Sequence, residues 1–372
     1  MTKVTVLVAV YNAQRFLHQC LDSLLNQTLR DVQIVCIDDC STDGSLTLLN
    51  GYAAEDSRVE VIALPENRGQ AHARNEGLKI ARGKYVCFVD IDDWLAPDAL
   101  ERCAELLECQ PCADCVLFRV VETNETGNKE LRQYPLPQVE RLTGNQAFEL
   151  SLDWTIHGVY MVRKELHQAY PYDESLRAFS DDNTTRIHYL KSREVLFSQG
   201  TYYYRQHPDS TTHQISERYF DHILANEKMK CQLLQQGCSS HVLDIYENVR
   251  WLNLVDAYMF YFKNRRTLSP TGRNYGLQAM ERVFSGLEPR RLQLRNKLKF
   301  GYIPLFASRR NGFVRRLGWN LFRLQEEVYF SLRSVLSIIP CLCFFYNLSF
   351  IFLPSLSLNS RFLVNFAQKY TV

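Results

Sequence analysis

The chain opens on an unbroken apolar run, Val4 to Val10, and then Phe16, Leu17, Cys20, Leu21, Leu24 and Leu25 recur at helical spacing. A run with no polar alternation has no solvent face and reads as a strand buried on both sides, whereas the recurrence reads as a helix with one buried stripe. The pattern repeats. Gln33 to Asp38 is a second strand, ended by Asp39-Cys40-Ser41-Thr42-Asp43-Gly44, whose short polar side chains bond to nearby backbone and start another helix. Val59 to Ala63 is a third strand, Gly69 to Ala81 a helix, Tyr85 to Val89 a fourth strand and Cys115 to Val121 a fifth. Such alternation predicts an α/β fold, a mostly parallel sheet flanked by helices, with ligands bound outside the carboxyl ends of the strands. Farther on, Tyr219 to Leu234 and Val242 to Phe262 read as helices rich in Leu, Tyr and Phe, so a helical C-terminal region is expected.

Composition adds limits. At 372 residues and 46% hydrophobic, the chain can bury a full core, and disorder is excluded as its general state. The net charge of +2 hides an asymmetry: Pro289 to Leu324 carries ten Lys/Arg and no Asp or Glu, leaving 33 basic against 41 acidic residues elsewhere, a net of −8. From Ser334 to Ser360 there is no charged residue, yet Pro340 and Pro354 interrupt the run. A basic block (289–324) beside an apolar tail (334–360) suits an anionic membrane surface; a spanning helix and a buried cap on the rest of the chain stay open as alternatives. No nucleic-acid partner is expected. Twelve cysteines, with Met1-Thr2-Lys3 leading straight into the first strand and no cleavable apolar segment, point to reduced thiols and a cytoplasmic setting. Cys109, Cys112 and Cys115 are spaced like zinc ligands but lack a fourth, since Cys103 falls on the apolar face of its probable helix; the ordinary reading is preferred.

Candidate chemistry concentrates in Phe88-Val89-Asp90-Ile91-Asp92-Asp93-Trp94. Three carboxylates at the end of a buried strand repel one another, and a divalent cation lets all three stay ionised. Mg²⁺ or Mn²⁺ takes oxygen ligands, commonly one or two carboxylates completed by substrate phosphates. Phosphate chemistry is implied.

Four segments in order, Tyr11-Asn12-Ala13, Asp38-Asp39-Cys40-Ser41-Thr42-Asp43-Gly44-Ser45, Glu66-Asn67-Arg68-Gly69 with Ala73-Arg74-Asn75, and Asp90-Ile91-Asp92-Asp93, resemble the family 2 glycosyltransferases, inverting enzymes of the GT-A fold. Ala9 stands where many members carry proline and Cys40 where glycine is usual. The resemblance implies a catalytic domain of residues 1–215, with a nucleotide-sugar half (1–95) and an acceptor half (96–215), followed by the helical region 216–372. It implies a donor pocket at Ala9, Tyr11, Asp39, Gly69, Arg74, Asp90 and Asp92. Tyr11 would lie flat against a nucleobase; Asp39 would accept a hydrogen bond from it, while Asp38 and Asp43 cap or turn the chain. Arg74 would reach a diphosphate or orient the aspartates, and Asn75 and Gly77 read as packing residues. Asp90 and Asp92 correspond to the family's metal-binding pair for Mn²⁺ or Mg²⁺, with His207 as a further ligand, Asp93 in the shell or capping a helix, and Arg205 as a diphosphate clamp. Phe179-Ser180-Asp181-Asp182-Asn183 resembles the acidic pair carrying the catalytic base, with Asp182 the choice and Asp181 the reserve; Trp154 lies where relatives contact the acceptor.

The implied activity is transfer of a sugar from a nucleotide donor, UDP-linked by resemblance, to a hydroxyl on a glycan or lipid-linked glycan in bacterial surface polysaccharide or lipopolysaccharide assembly. A sugar nucleotidyltransferase is the nearest rival, but its glycine-rich N-terminal loop has no counterpart in Val10-Tyr11-Asn12-Ala13. A non-catalytic glycan-binding or membrane scaffold protein is the other, and the intact Asp90-Asp92 pair argues against it.

Overall fold

The computed structural model of the chain describes residues 2–174, 179–207, 215–294 and 296. The first four strands and three helices follow the hydrophobic pattern closely: β1 (Val4–Val10), α1 (Leu17–Leu25), β2 (Val32–Asp38), α2 (Ser45–Glu55), β3 (Val59–Ala63), α3 (Gln70–Lys79) and β4 (Tyr85–Phe88). Next come β5 (Trp94–Leu95), α4 (Ala99–Cys109), β6 (Ala113–Thr123), β7 (Glu130–Gln133), β8 (Arg141–Thr143), α5 (Gly144–Leu152), β9 (Tyr160–Arg163), α6 (Lys164–Ala169), α7 (Ser180–Lys191) and β10 (Glu194–Arg205). Three helices close the described chain: α8 (Asp221–Gln235), α9 (Ser240–Asn264) and α10 (Pro270–Ser285).

The strands form one sheet in the order β3-β2-β1-β4-β9-β6-β10-β5, with β7 paired to β6 and β8 to β10. β1, β2, β3 and β4 run parallel, as do β6 and β10. β9 is inserted antiparallel between β4 and β6, joining two parallel halves into one sheet. Because β1, β2 and β4 are parallel, their carboxyl ends lie together at one end of the sheet, where a crevice can form.

Period-two alternation decides which side chain enters which core. Val4, Val6, Val8 and Val10 face a cluster with Leu17, Leu21 and Leu24 of α1 and Leu100, Cys103 and Leu107 of α4. Leu7, Val35, Ile37 and Val86 face the opposite cluster, built with Ala73 and Leu78 of α3, Phe148 of α5, and Met229, Leu233, Val242, Tyr246 and Val249 of α8 and α9. Helices beyond residue 215 therefore help cover one face of the sheet. Gly77 of α3 is a packing residue, as its sequence context suggests: a Cβ there would meet Ile37 Cδ1 at 2.6 Å.

The compact unit spans Met1–Phe306; the second unit, Ala307–Val372, lies outside the described residues. The apolar tail and all of the basic block beyond residue 296 fall there too. Of the block's described part, Arg291 pairs with Asp244 at 2.6 Å and Glu288 at 3.1 Å, so its charge is used within the fold. Among the described residues, no helix is long and apolar enough to cross a membrane. The ten described cysteines are free thiols: Cys103 and Cys115 are buried while Cys109 and Cys112 are exposed, which leaves the zinc-like spacing without a common site.

Candidate active site

The loops after β1 and β2 are laced together by short polar side chains. Ala13 N–H donates to Ser45 Oγ at 3.0 Å, Gln14 N–H to Asp43 Oδ2 at 3.2 Å, and Thr42 N–H to Asn12 Oδ1 at 2.7 Å. Asp38 accepts from Ser41 N–H at 3.0 Å, so Asp38 and Asp43 shape turns as expected. Cys40 has φ +61°, the left-handed region that favours glycine, which accounts physically for glycine being usual there. Tyr11 emerges from this lacing half exposed, which overturns a core role for its ring, and Ala9 sits partly buried two residues before it.

Asp39 is buried and fastens the next loop. Its Oδ1 accepts from Arg68 N–H at 2.9 Å and its Oδ2 from Gly69 N–H at 2.8 Å. Gly69 adopts φ +93°, a conformation that an L side chain rarely takes, so the sharp entry to α3 requires glycine. Both carboxylate oxygens of Asp39 thus set the shape of the loop that enters α3.

The three carboxylates after β4 go to three different partners. Asp90 Oδ1 accepts from Arg74 Nη2 at 2.5 Å and from Gln70 Nε2 at 2.7 Å. Asp92, its side chain about a quarter exposed, has Oδ2 2.8 Å from His207 Nε2. Asp93 is buried and accepts from Tyr202 Oη at 2.7 Å and from Arg205 N–H at 2.8 Å. Neither role foreseen for Asp93 holds: it pins the end of β10 beneath the site. Burial pushes the Asp90 carboxyl up against the pull of Arg74, with Asp92 adding to the rise; burial, Asp92 and Asp90 together push the Asp93 carboxyl well above the ordinary carboxylate range.

Arg205 is likewise a structural pin and not a diphosphate clamp, because its guanidinium is spent on the protein. Nε donates to Asp92 O at 2.7 Å, Nη1 to Glu125 O at 2.6 Å, and Nη2 to Gln19 Oε1. His207, buried with its ring 4.8 Å from that of Phe16, has no hydrogen-bond partner at Nδ1 among the described residues. Among the described residues no three His, Cys, Asp or Glu side chains enclose a cation by themselves. Asp92 and His207 stand beside one another, an oxygen and a nitrogen donor 2.8 Å apart.

Arg74 is the junction. It is 1% exposed. Its guanidinium lies 4.0 Å from the centre of the Phe88 ring and 5.3 Å from that of Tyr172, and Nη1 is 3.6 Å from Asp181 Oδ2. One buried cation therefore joins the aspartate after β4 to the acidic pair that opens α7. Asp181 and Asp182 sit in the first turn of that helix, where its dipole favours negative charge, directly after Phe179 at φ +63°. Asp182 N–H donates to Asp181 Oδ1 at 3.2 Å. One turn further, the buried Arg186 places its guanidinium 4.5 Å from the ring of Trp154, which is 40% exposed and at φ +60°. Trp154 is thus displayed beside the turn of Asp182 and is not a core residue.

The structure adds Gln70, Tyr202, Asn75 and Glu174, which sequence reasoning did not single out as site residues. Tyr202 carried a signal, the alternation of Tyr202 and Tyr204 along one strand; Gln70 carried none beyond lying one turn before Arg74.

Residues 5–170 match the family model for Glycosyl transferase family 2. An uncharacterized glycosyltransferase, EpsJ, of Bacillus subtilis is 32% identical over 225 residues, 56% of this chain and 62% of the relative. The poly(ribitol-phosphate) beta-glucosyltransferase of Bacillus spizizenii is 32% identical over 206 residues, 54% of this chain and 32% of that protein. The chain thus spans less than two thirds of the length of either. The crystal structure of S. aureus TarS 1-349 in complex with UDP-GlcNAc shares the fold, with a TM-score of 0.65 at 18% identity, covering 88% of this chain and 92% of that one.

Removing the junction should be costly. Arg74→Ala leaves Asp90 and Asp181 without their shared cation and is expected to lower the unfolding free energy by about 3–5 kcal/mol, the usual cost of breaking a buried ion pair. Arg74→Lys keeps the charge but not the planar fork and should recover only part of that loss. Urea unfolding of the three proteins checks both, and an Arg74→Ala midpoint equal to the parent's would contradict the assignment.

Proposed function

We propose that the chain, whose residues 5–170 match the family model for Glycosyl transferase family 2, transfers a sugar from a UDP-linked donor to a glycan hydroxyl, with inversion, in the assembly of cell-surface polysaccharide or lipopolysaccharide. One observation carries the reading: Arg74 holds Asp90 and Asp181 together, so a phosphate-side acidic cluster and the acidic pair of α7 face one crevice. The UDP-GlcNAc and UDP complexes of TarS support a uridine nucleotide.

The exposed ring of Tyr11 stacks on the base, and the loop fastened by Asp39 closes around the nucleotide. Asp92, with Asp90 and His207, would hold Mn²⁺ or Mg²⁺, and the ion would supply charge neutralisation to the departing diphosphate. Asp182 takes the proton of the acceptor hydroxyl as that oxygen bonds to the anomeric carbon and the bond to the diphosphate breaks. Asp181, drawn to Arg74, steadies its neighbour. Trp154 receives a sugar ring of the acceptor on its open face. The basic block and apolar tail bring the enzyme to an anionic membrane, where a lipid-linked acceptor is met.

A panel of UDP- and GDP-sugars with Mn²⁺ should reveal turnover of a UDP-sugar, which EDTA or Asp92→Asn removes while the fold persists; full activity in EDTA would sink the metal assignment. Asp182→Asn should retain donor affinity yet lower turnover by about 10²–10⁴-fold, the typical contribution of a general base. Normal turnover in Asp182→Asn together with loss in Asp181→Asn would move the base by one residue. Full-length protein should float with anionic vesicles and be released by truncation after Glu288 or by salt; a protein that never floats removes the membrane partner.

A further inference from the structure

Helix α3 and its N-cap contact Asp39, Asp90 and Asp181. At its entry Gly69 N–H meets Asp39, and along its length Gln70 and Arg74 meet Asp90. Its next turn reaches the other way. Asn75 Oδ1 accepts from Tyr172 N–H at 2.9 Å, while its Nδ2 donates to Tyr172 O at 2.9 Å and to Glu174 Oε1 at 2.7 Å. A carboxamide that both donates to and accepts from one residue's backbone grips it as a neighbouring strand would. This is not the packing role its sequence context suggests. Glu174 is held a second time, its Oε2 lying 2.8 Å from His72 Nδ1 and 3.8 Å from Arg68 Nη2. Between the two gripped residues, Asp173 N–H donates to Thr184 Oγ1 at 3.3 Å, and Thr184 lies two residues after Asp182 in α7. The ring of Tyr172 also backs Arg74, which reaches Asp181.

We propose that Asn75, with Glu174 as its counterpart, is a positioning residue that registers the acidic pair of α7 against the donor side, so that it governs proton removal from the acceptor and not donor binding. This rests on the function proposed above. Asp at this position would keep the acceptor for Tyr172 N–H but lose the donor and face Glu174 with like charge.

The test is a double-mutant cycle on the full chain, read as UDP release from the UDP-sugar that the panel identifies, with UDP itself as the binding probe. Asn75→Ala should bind UDP within about twofold of the parent and keep the donor KM, while kcat falls about tenfold or more, the scale of a small misplacement at a reacting centre. In an Asp182→Asn background the same substitution should change kcat less than about twofold, because an effect exerted through the base vanishes with the base. A merely structural role gives instead a full loss in both backgrounds, or loss of UDP affinity in step with kcat, and either result overturns the proposal. Should Asn75→Ala fail to fold, Glu174→Gln carries the same cycle, with an expected loss of about threefold and the same overturning results. A parent protein that turns over no nucleotide sugar defeats the function and this inference with it; an active parent with an indifferent Asn75→Ala defeats the inference alone.

Discussion

A guanidinium cannot shed its proton in a protein, so enclosing Arg74 obliges the fold to bring carboxylates to it. That constraint organises the site. Asp90 comes from the end of β4, Asp181 from the start of α7, and the Phe88 and Tyr172 rings take the faces of the cation that no carboxylate meets. The two acids would repel each other and pull apart without it. The carboxylate after β4 and the acidic pair of α7 are therefore joined through one side chain on α3, and the same helix fixes Asp39's loop at its entry and Tyr172 through Asn75.

The acidic stretch after β4 shows how crowded charge is resolved by division of labour. Asp93 turns inward to Tyr202 and Arg205, locking β10 beneath the crevice, and Asp90 turns to Arg74. Asp92, partly exposed like Asp90, lies beside His207. Arg205 belongs to the same foundation: by binding Asp92 O, Glu125 O and Gln19 it fixes the backbone from which Asp92 and His207 project.

The parallel half of the sheet was legible because its strands are buried on both faces and so lack polar alternation; β1 and β3 begin and end where the pattern says. β9 was not, since four residues between two buried strands leave too short a signal, and it runs antiparallel between β4 and β6. α7 was equally hard to read: its inward face is Asn183, Thr184, Thr185, Arg186 and His188, buried polar groups that hydrophobic periodicity cannot register. At the site, residue types announced which groups were present, whereas their partners depended on contacts across about a hundred residues. Asn75, gripping Tyr172, and Arg205, reaching Gln19, were misread for that reason. Trp154 and Tyr11, which the resemblance sets against acceptor and base, are both exposed.

Calorimetric titration of UDP into the protein, with and without Mn²⁺, tests the central claim most directly, namely that the Arg74-organised cluster presents Asp92 to a metal-bound diphosphate. The account predicts binding that strengthens markedly with Mn²⁺ in the parent protein and loses that dependence in Asp92→Asn. Identical UDP affinity in the parent with and without Mn²⁺ would contradict it.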